Sequence, residues 1–211
     1  MAKNKKPKKH GHRKGAIMGR SDIPFAERLA LQQRNDIAVN RERAAKIAMY
    51  CLSIAMHELE GIGYKRLVRF SFRLKDVISE FYEDVEVGMA HARTRLGQIG
   101  IEIAGDFYTY AIEGETKRDR QLHENAMQAV QIALLCGAIA MNDEFGFGEE
   151  RQNRISERVA ELAGRYAKEG AGFLLREMEK IGFQIVDGDA TAYIDDGNAV
   201  KTSRAMLEGQ R

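Results

Sequence analysis

The sequence predicts an all-α protein made of two tandem, pseudo-symmetric three-helix repeats. A disordered basic tail precedes them, and a short β-hairpin is expected after each repeat. Three observations carry that expectation. The chain aligns with itself at a displacement of 85 residues, its apolar residues recur at helical spacing, and only two prolines, Pro7 and Pro24, interrupt it. Proline removes a backbone donor and clashes with the preceding turn, so its near-absence permits long helices. With 44% hydrophobic residues, the 211-residue chain can also bury a core.

The self-alignment is densest between residues 51–77 and 136–162. Cys51, Ile54, Ala55, Met56, Gly61, Gly63, Arg66, Arg69, Ser71 and Arg73 fall on Cys136, Ile139, Ala140, Met141, Gly146, Gly148, Arg151, Arg154, Ser156 and Arg158. Unrelated segments of ordinary composition would share roughly one to three such identities. Further on the displacement drops to 82, where Ile99, Gly100 and Ile103 meet Ile181, Gly182 and Ile185. The second copy is therefore shorter in one connection, where deletions are tolerated. Two copies are too few for a solenoid. A compact pair is expected, each copy burying the other's apolar face.

The first helix of each copy places Ala44, Ile47, Cys51, Ile54 and Ala55, or Ala129, Ile132, Cys136, Ile139 and Ala140, at helical spacing. Gly61 and Gly146 suit left-handed caps at their ends. The second helix shows Leu67, Phe70, Leu74, Val77 and Phe81 on one face. Its counterpart shows Ile155, Val159, Leu162 and Tyr166. A third helix covers about Met89–Ile99 and again Ala171–Ile181, stopped by Gly100 and Gly182. Strand character follows at Ile101–Ala104 with Phe107–Ile112, and at Phe183–Val186 with Ala190–Ile194, where Asp187-Gly188 suits a tight turn. A leading helix is expected near Pro24, capped by Ser21 or Asp22. The expected layout is a tail over 1–20, the leading helix and first repeat over 21–112, the second repeat over 113–196, and a flexible end over 197–211.

Charge is segregated. Residues 1–20 hold eight lysines and arginines and no acid, so of the net charge of +2 the remainder carries −6. Such a tail and such a body have different partners. No apolar run of about 18 residues occurs, so no transmembrane helix is expected, and the charged start lacks the apolar stretch of a secretory signal. Cys51 and Cys136 sit in apolar helical pattern, as reduced thiols do. A cytoplasmic protein of a bacterial host, without a membrane partner, is expected.

Four features could carry chemistry. The Gly-Φ-Gly turns, Gly61-Ile62-Gly63 and Gly146-Phe147-Gly148, could present amides to an anion. No Walker or dinucleotide-binding context surrounds them, so a helix corner whose middle residue plugs the core is favoured. Arg66, Arg69 and Arg73 form one helical stripe, repeated by Arg151, Arg154 and Arg158. These could follow a phosphate backbone or pair with the acids before each turn: Glu58 and Glu60, or Asp143 and Glu144. Ion pairing is favoured. His57, Glu58, Asp143 and Glu144 lack metal-ligand spacing, so no metal is expected. The cysteines lack a recognisable base and read as core residues. No catalytic constellation emerges, and neither an enzyme nor a cofactor is expected.

The block Ala140-Met141-Asn142-Asp143-Glu144-Phe145-Gly146-Phe147-Gly148, with Arg151 and Arg154, resembles a motif of small helical proteins encoded in phages and prophages of Gram-positive bacteria. The first copy departs from it, since His57-Glu58-Leu59-Glu60-Gly61-Ile62-Gly63 lacks the Asn-Asp pair and both phenylalanines. The resemblance implies a phage context, where small non-enzymatic proteins manage DNA or block host defences. It brings no catalytic residues with it.

The expected function is that of a non-enzymatic, phage-type accessory protein that binds nucleic acid or a nucleoprotein. Its contacts would come from Lys5, Lys6, Lys8, Lys9, Arg13 and Lys14 of the tail and from Arg66, Arg69, Arg73, Arg151, Arg154 and Arg158 of the stripes. The alternative is a protein-directed inhibitor of a host defence nuclease, anti-CRISPR-like, whose acidic body binds a host protein by charge complementarity. A homodimer through a leftover apolar face is compatible with either.

Overall fold

The computed structural model describes residues 25–81, 85–102, 116–193 and 199–200. Among them are six helices: α1 (Phe25–Glu60), α2 (Tyr64–Phe81), α3 (Val85–Gln98), α4 (Lys117–Phe145), α5 (Glu149–Glu169) and α6 (Ala171–Ile181). Three short strands follow: β1 (Gln184–Val186), β2 (Asp189–Tyr193) and β3 (Ala199–Val200). The chain is therefore mostly helical, with a small antiparallel sheet. The expected tail, and the leading-helix caps at Ser21, Asp22 and Pro24, lie outside the described residues.

The chain divides into two compact units, Met1–Asp36 and Ile37–Arg211. In the first, the described residues are helical and expose Leu29 and Leu31. The second holds the remaining helices and the sheet. The expectation of a separate leading helix is corrected here, because α1 runs without a break for 36 residues. No proline or glycine lies between Phe25 and Glu60 to stop it.

One buried cluster in the second unit draws on all six helices. It includes Ile54 and Met56 of α1, Phe70 and Leu74 of α2, Leu96 of α3, Ile139 of α4, Leu162 of α5 and Phe173 of α6. Helices α2 and α3 pack against α4, and α5 packs against α6. The buried faces of α2 and α5 follow the expected apolar spacing. Gln152 joins the α5 set unannounced, at only 2% exposure.

Helix α4 is long and apolar enough, by length and composition, to cross a membrane. The expectation of no such helix is corrected to that extent: Gln128, Gln131 and Asn142 punctuate the helix and lower its apolar signal in the sequence. Slightly more than half of its most apolar stretch, 56%, is buried within the protein.

Helix ends follow local chemistry. Thr116 starts α4 with a reciprocal capping box: its hydroxyl accepts from the Asp119 N–H, and the Asp119 carboxylate accepts from the Thr116 N–H. The Thr116 hydroxyl and amide together hold the Asp119 carboxyl below its ordinary range. Gly61 and Gly146 close α1 and α4 at φ +63° and +66°. The amides of Ile62 and Phe147 then reach back to Met56 O and Met141 O, as in a Schellman motif. Gly100 and Gly182 end α3 and α6 in the same left-handed region, with Ile101 and Phe183 donating to Leu96 O and Met178 O.

The hairpin after α6 is present. Val186 pairs with Asp189 across Asp187 and Gly188, both at positive φ, which is the geometry of a type I′ turn. The hairpin expected after the first repeat lies outside the described residues, apart from Ile101 and Glu102, which are not in a strand.

Helices α1 and α4 approach closely at Gly137. A β-carbon added there would stand 2.6 Å from Leu52 Cδ2. We expect Gly137→Val to lower stability by about 1–3 kcal/mol through overpacking. Adding Leu52→Ala to the same chain should restore part of that loss. Urea unfolding followed by far-ultraviolet circular dichroism measures both, and an unaffected Gly137→Val protein would refute the close contact.

Candidate functional site

The two Gly-Φ-Gly turns are helix corners. Their middle residues are plugs, Ile62 at 1% exposure and Phe147 at 3%. Gly148 starts α5 in extended backbone without a side-chain cap. Each corner is braced from the last turn of the helix before it. His57 Nδ1 lies 3.1 Å from Ile62 O, and Asn142 Nδ2 donates to Phe147 O at 3.2 Å. Only a protonated Nδ1 can donate to that carbonyl, so this bond selects the histidine's tautomer. His57 and Asn142 occupy equivalent positions, so two unlike residues perform one task. The second corner is further tied by Gln152, whose amide donates to Ala138 O at 3.0 Å and Phe147 O at 2.9 Å. Its buried Oε1 has no partner among the described residues. Leu67 stands at the equivalent place in the first corner.

The arginine stripes lie on α2 and α5, and their partners come from the opposite half of the chain. On α2, Arg73 binds Asp143 at the end of α4, with its Nε 2.9 Å from Oδ2. Arg69 reaches Glu144 at 3.0 Å, and the Arg66 guanidinium lies 5.0 Å from the Phe145 ring centre. On α5, Arg158 binds Glu58 at the end of α1 at 2.8 Å. Arg154 reaches Glu60 at 2.9 Å. Arg151 lies 3.7 Å from Glu60 and 5.3 Å from the Phe147 ring centre. The sequence places each acid pair just before the stripe of its own half, yet the acids pair with the stripe of the other half. The reciprocity is residue for residue for one pair, because Arg73 and Asp143 are equivalent to Arg158 and Glu58.

Burial ranks these contacts. Arg73 and Arg158 are only 30% and 28% exposed, whereas Arg69, Arg151 and Arg154 are more than half exposed. Exposed pairs contribute little, so the weight falls on Arg73 and Arg158. Hydrogen bonding to Asp143 raises the Arg73 pKa, and bonding to Glu58 and then Glu161 raises that of Arg158. Arg95 and Glu80 join this network. Arg95 of α3 binds Asp143 and Glu80, both at 2.8 Å, and Glu80 also faces Arg73. Arg95 has no stripe spacing that would have marked it. Arg165 pairs with Glu169 at 3.0 Å and lies 4.0 Å from the Phe173 ring centre.

Cys51 and Cys136 are buried free thiols. Burial, their first cause, pushes both pKa values up to about 12. Among the described residues, no three histidine, cysteine, aspartate or glutamate side chains converge as metal ligands. Lys5, Lys6, Lys8, Lys9, Arg13 and Lys14 lie outside the described residues. No family model, curated protein or solved structure matches the chain.

The crossed pairs should couple energetically. Reversing either charge, as in Arg158→Glu or Glu58→Arg, should destabilise the protein. Combining the two should recover most of the loss, with a coupling of about 1 kcal/mol that shrinks in high salt. The Arg73–Asp143 cycle should behave alike, and zero coupling in both cycles would show the pairs to be incidental. A second measurement addresses the thiols. With both protonated at pH 8, an aromatic disulfide reagent should titrate neither in the folded protein and both after unfolding. Rapid labelling of the folded protein would contradict their burial.

Proposed function

We propose that the body is a tandem pair of one three-helix unit. We further propose that the protein is a non-enzymatic, phage-type accessory factor that binds nucleic acid or a nucleoprotein through its basic tail. For the tandem pair, support comes from the left-handed glycines at equivalent helix ends and from the reciprocal ion pairs Arg73–Asp143 and Arg158–Glu58. For the function, one observation carries the reading. The six stripe arginines are engaged by carboxylates or aromatic rings of the body, while residues 1–20 concentrate eight cations without an acid. An arginine held by a carboxylate must give up that partner to take a phosphate. The tail has no acid of its own to compete, so it is the stronger phosphate ligand. This shifts the proposed contacts from the stripes toward Lys5, Lys6, Lys8, Lys9, Arg13 and Lys14.

A second reading rests on the other side of the same charge separation. Residues 21–211 carry −6, and such a body can occupy a basic nucleic-acid channel on a host protein. The phage context comes from the resemblance of the Asn142–Gly148 corner and belongs to both readings.

Fluorescence anisotropy with short single- and double-stranded DNA, at low and moderate salt, separates them. The full-length protein should bind with an affinity that falls steeply with salt. A full-length variant with the six tail cations changed to glutamine should lose most of that binding, while Arg69→Gln and Arg154→Gln should change it little. No binding by the native protein at low salt would refute the nucleic-acid reading and leave the acidic body as the working surface.

A further inference from the structure

A cleft of about 270 Å³ opens between the middle of α1, the end of α5, α6 and the β1–β2 turn. Its floor is aliphatic, from Ile47, Leu174 and Leu175, and two tyrosines, Tyr50 and Tyr166, line it as well. One wall is tied down. Lys46 Nζ binds both Asp189 oxygens, at 2.8 and 3.0 Å, and the Tyr50 hydroxyl accepts from the Ala190 N–H at 2.9 Å. These bonds hold the hairpin to α1 and leave those groups satisfied.

Two charged groups of the same cleft are not so committed. Arg43 is exposed, and among the described residues its one hydrogen bond is a long one, 3.4 Å to the Tyr166 hydroxyl. Glu42 has Lys46 3.9 Å away, but that ammonium already belongs to Asp189. The cleft thus offers an aliphatic and aromatic interior, an available guanidinium and an available carboxylate. Its volume lies just below the usual range for small-molecule sites, about 300–1,000 Å³, which suits a ligand of modest size.

We propose that this cleft binds a single nucleotide, a flat heterocycle joined through a sugar to one phosphate. The ring would lie against the tyrosines and the aliphatic floor, as unpaired bases do on aromatic side chains. The planar fork of Arg43 suits the phosphate oxygens. Glu42 can only accept hydrogen bonds, so it favours the amino groups of cytosine, adenine and guanine over uracil, whose one pairing-edge donor, N3–H, sits between two carbonyls that repel a carboxylate. The cleft and the tail share no residue, so this inference stands apart from the tail's role.

The test is isothermal titration of the full-length protein with CMP, AMP, GMP, UMP and inorganic phosphate. One equivalent of an amino-bearing nucleotide should bind, with UMP and inorganic phosphate each weaker by about tenfold or more. Arg43→Ala should weaken binding by about fivefold or more, and Glu42→Gln should erase the preference over UMP. Ala171→Trp, at the exposed start of α6, should fill the cleft and abolish binding. Both Arg43 and Ala171 are exposed, and circular dichroism checks that these variants fold. The glutamine-substituted tail variant should bind the nucleotide as the native protein does. Several outcomes overturn the proposal: no heat with any nucleotide at millimolar concentration, binding untouched by Arg43→Ala and Ala171→Trp, inorganic phosphate binding as well as the nucleotides, or binding lost with the tail charges.

Discussion

The ends of α1 and α4 answer to arginines from the other half of the chain, and much of the body's architecture depends on that exchange. Asp143 alone gathers Arg73 from α2 and Arg95 from α3, so three helices meet at one carboxylate. At the other end, Glu58 holds Arg158 of α5. The apolar cluster beneath is continuous across both halves. Hydrophobic burial supplies the driving force but is non-directional. Ion pairs at partly buried helix ends supply direction, because a slip of one turn would leave Arg73 and Arg158 facing the wrong residues.

The corners show how one backbone solution accepts different side chains. A left-handed glycine and an amide reaching back six residues turn the chain after both α1 and α4. The plug is Ile62 in one and Phe147 in the other. The brace is an imidazole in one and a carboxamide in the other. Backbone geometry demands glycine at one position, whereas the plug needs only apolar volume and the brace only a donor. The same logic explains Leu52 and Gly137, which occupy equivalent positions in the two halves and meet where α1 and α4 cross. Two leucines would overfill that point, and one leucine against a glycine fits.

The cleft by Tyr50 is built from both halves, from α1 of the first and from α5, α6 and the hairpin turn of the second. Its wall is the β1–β2 hairpin, pinned by Lys46 and Tyr50 of α1. At the positions equivalent to Arg43, Lys46 and Tyr50, the second half carries Gln128, Gln131 and Leu135, which can neither pair with a carboxylate as a cation nor offer a phenol. The two stretches that align in sequence therefore differ on this surface. Burial raises the Tyr50 hydroxyl to about 12; the Ala190 hydrogen bond opposes it, and the nearby Asp189 carboxylate adds a smaller upward effect. It remains a neutral phenol at ordinary pH.

Local features were legible in the sequence. Helix faces, glycine ends, the Asp187-Gly188 turn and the core cysteines all follow from spacing and from the conformational needs of single residues, which act over one or two turns. The charge separation between tail and body is likewise a property of composition. What only the tertiary structure decided is which residues meet. Glu58 lies near the first stripe in sequence, yet its partner Arg158 is far along the chain. Arg95 has no periodic mark at all, and Gln152 interrupts an apolar face because a corner carbonyl needed a donor. Such pairings depend on how helices cross, and helix crossing is fixed by the combined shape of many side chains, which no single window of sequence contains.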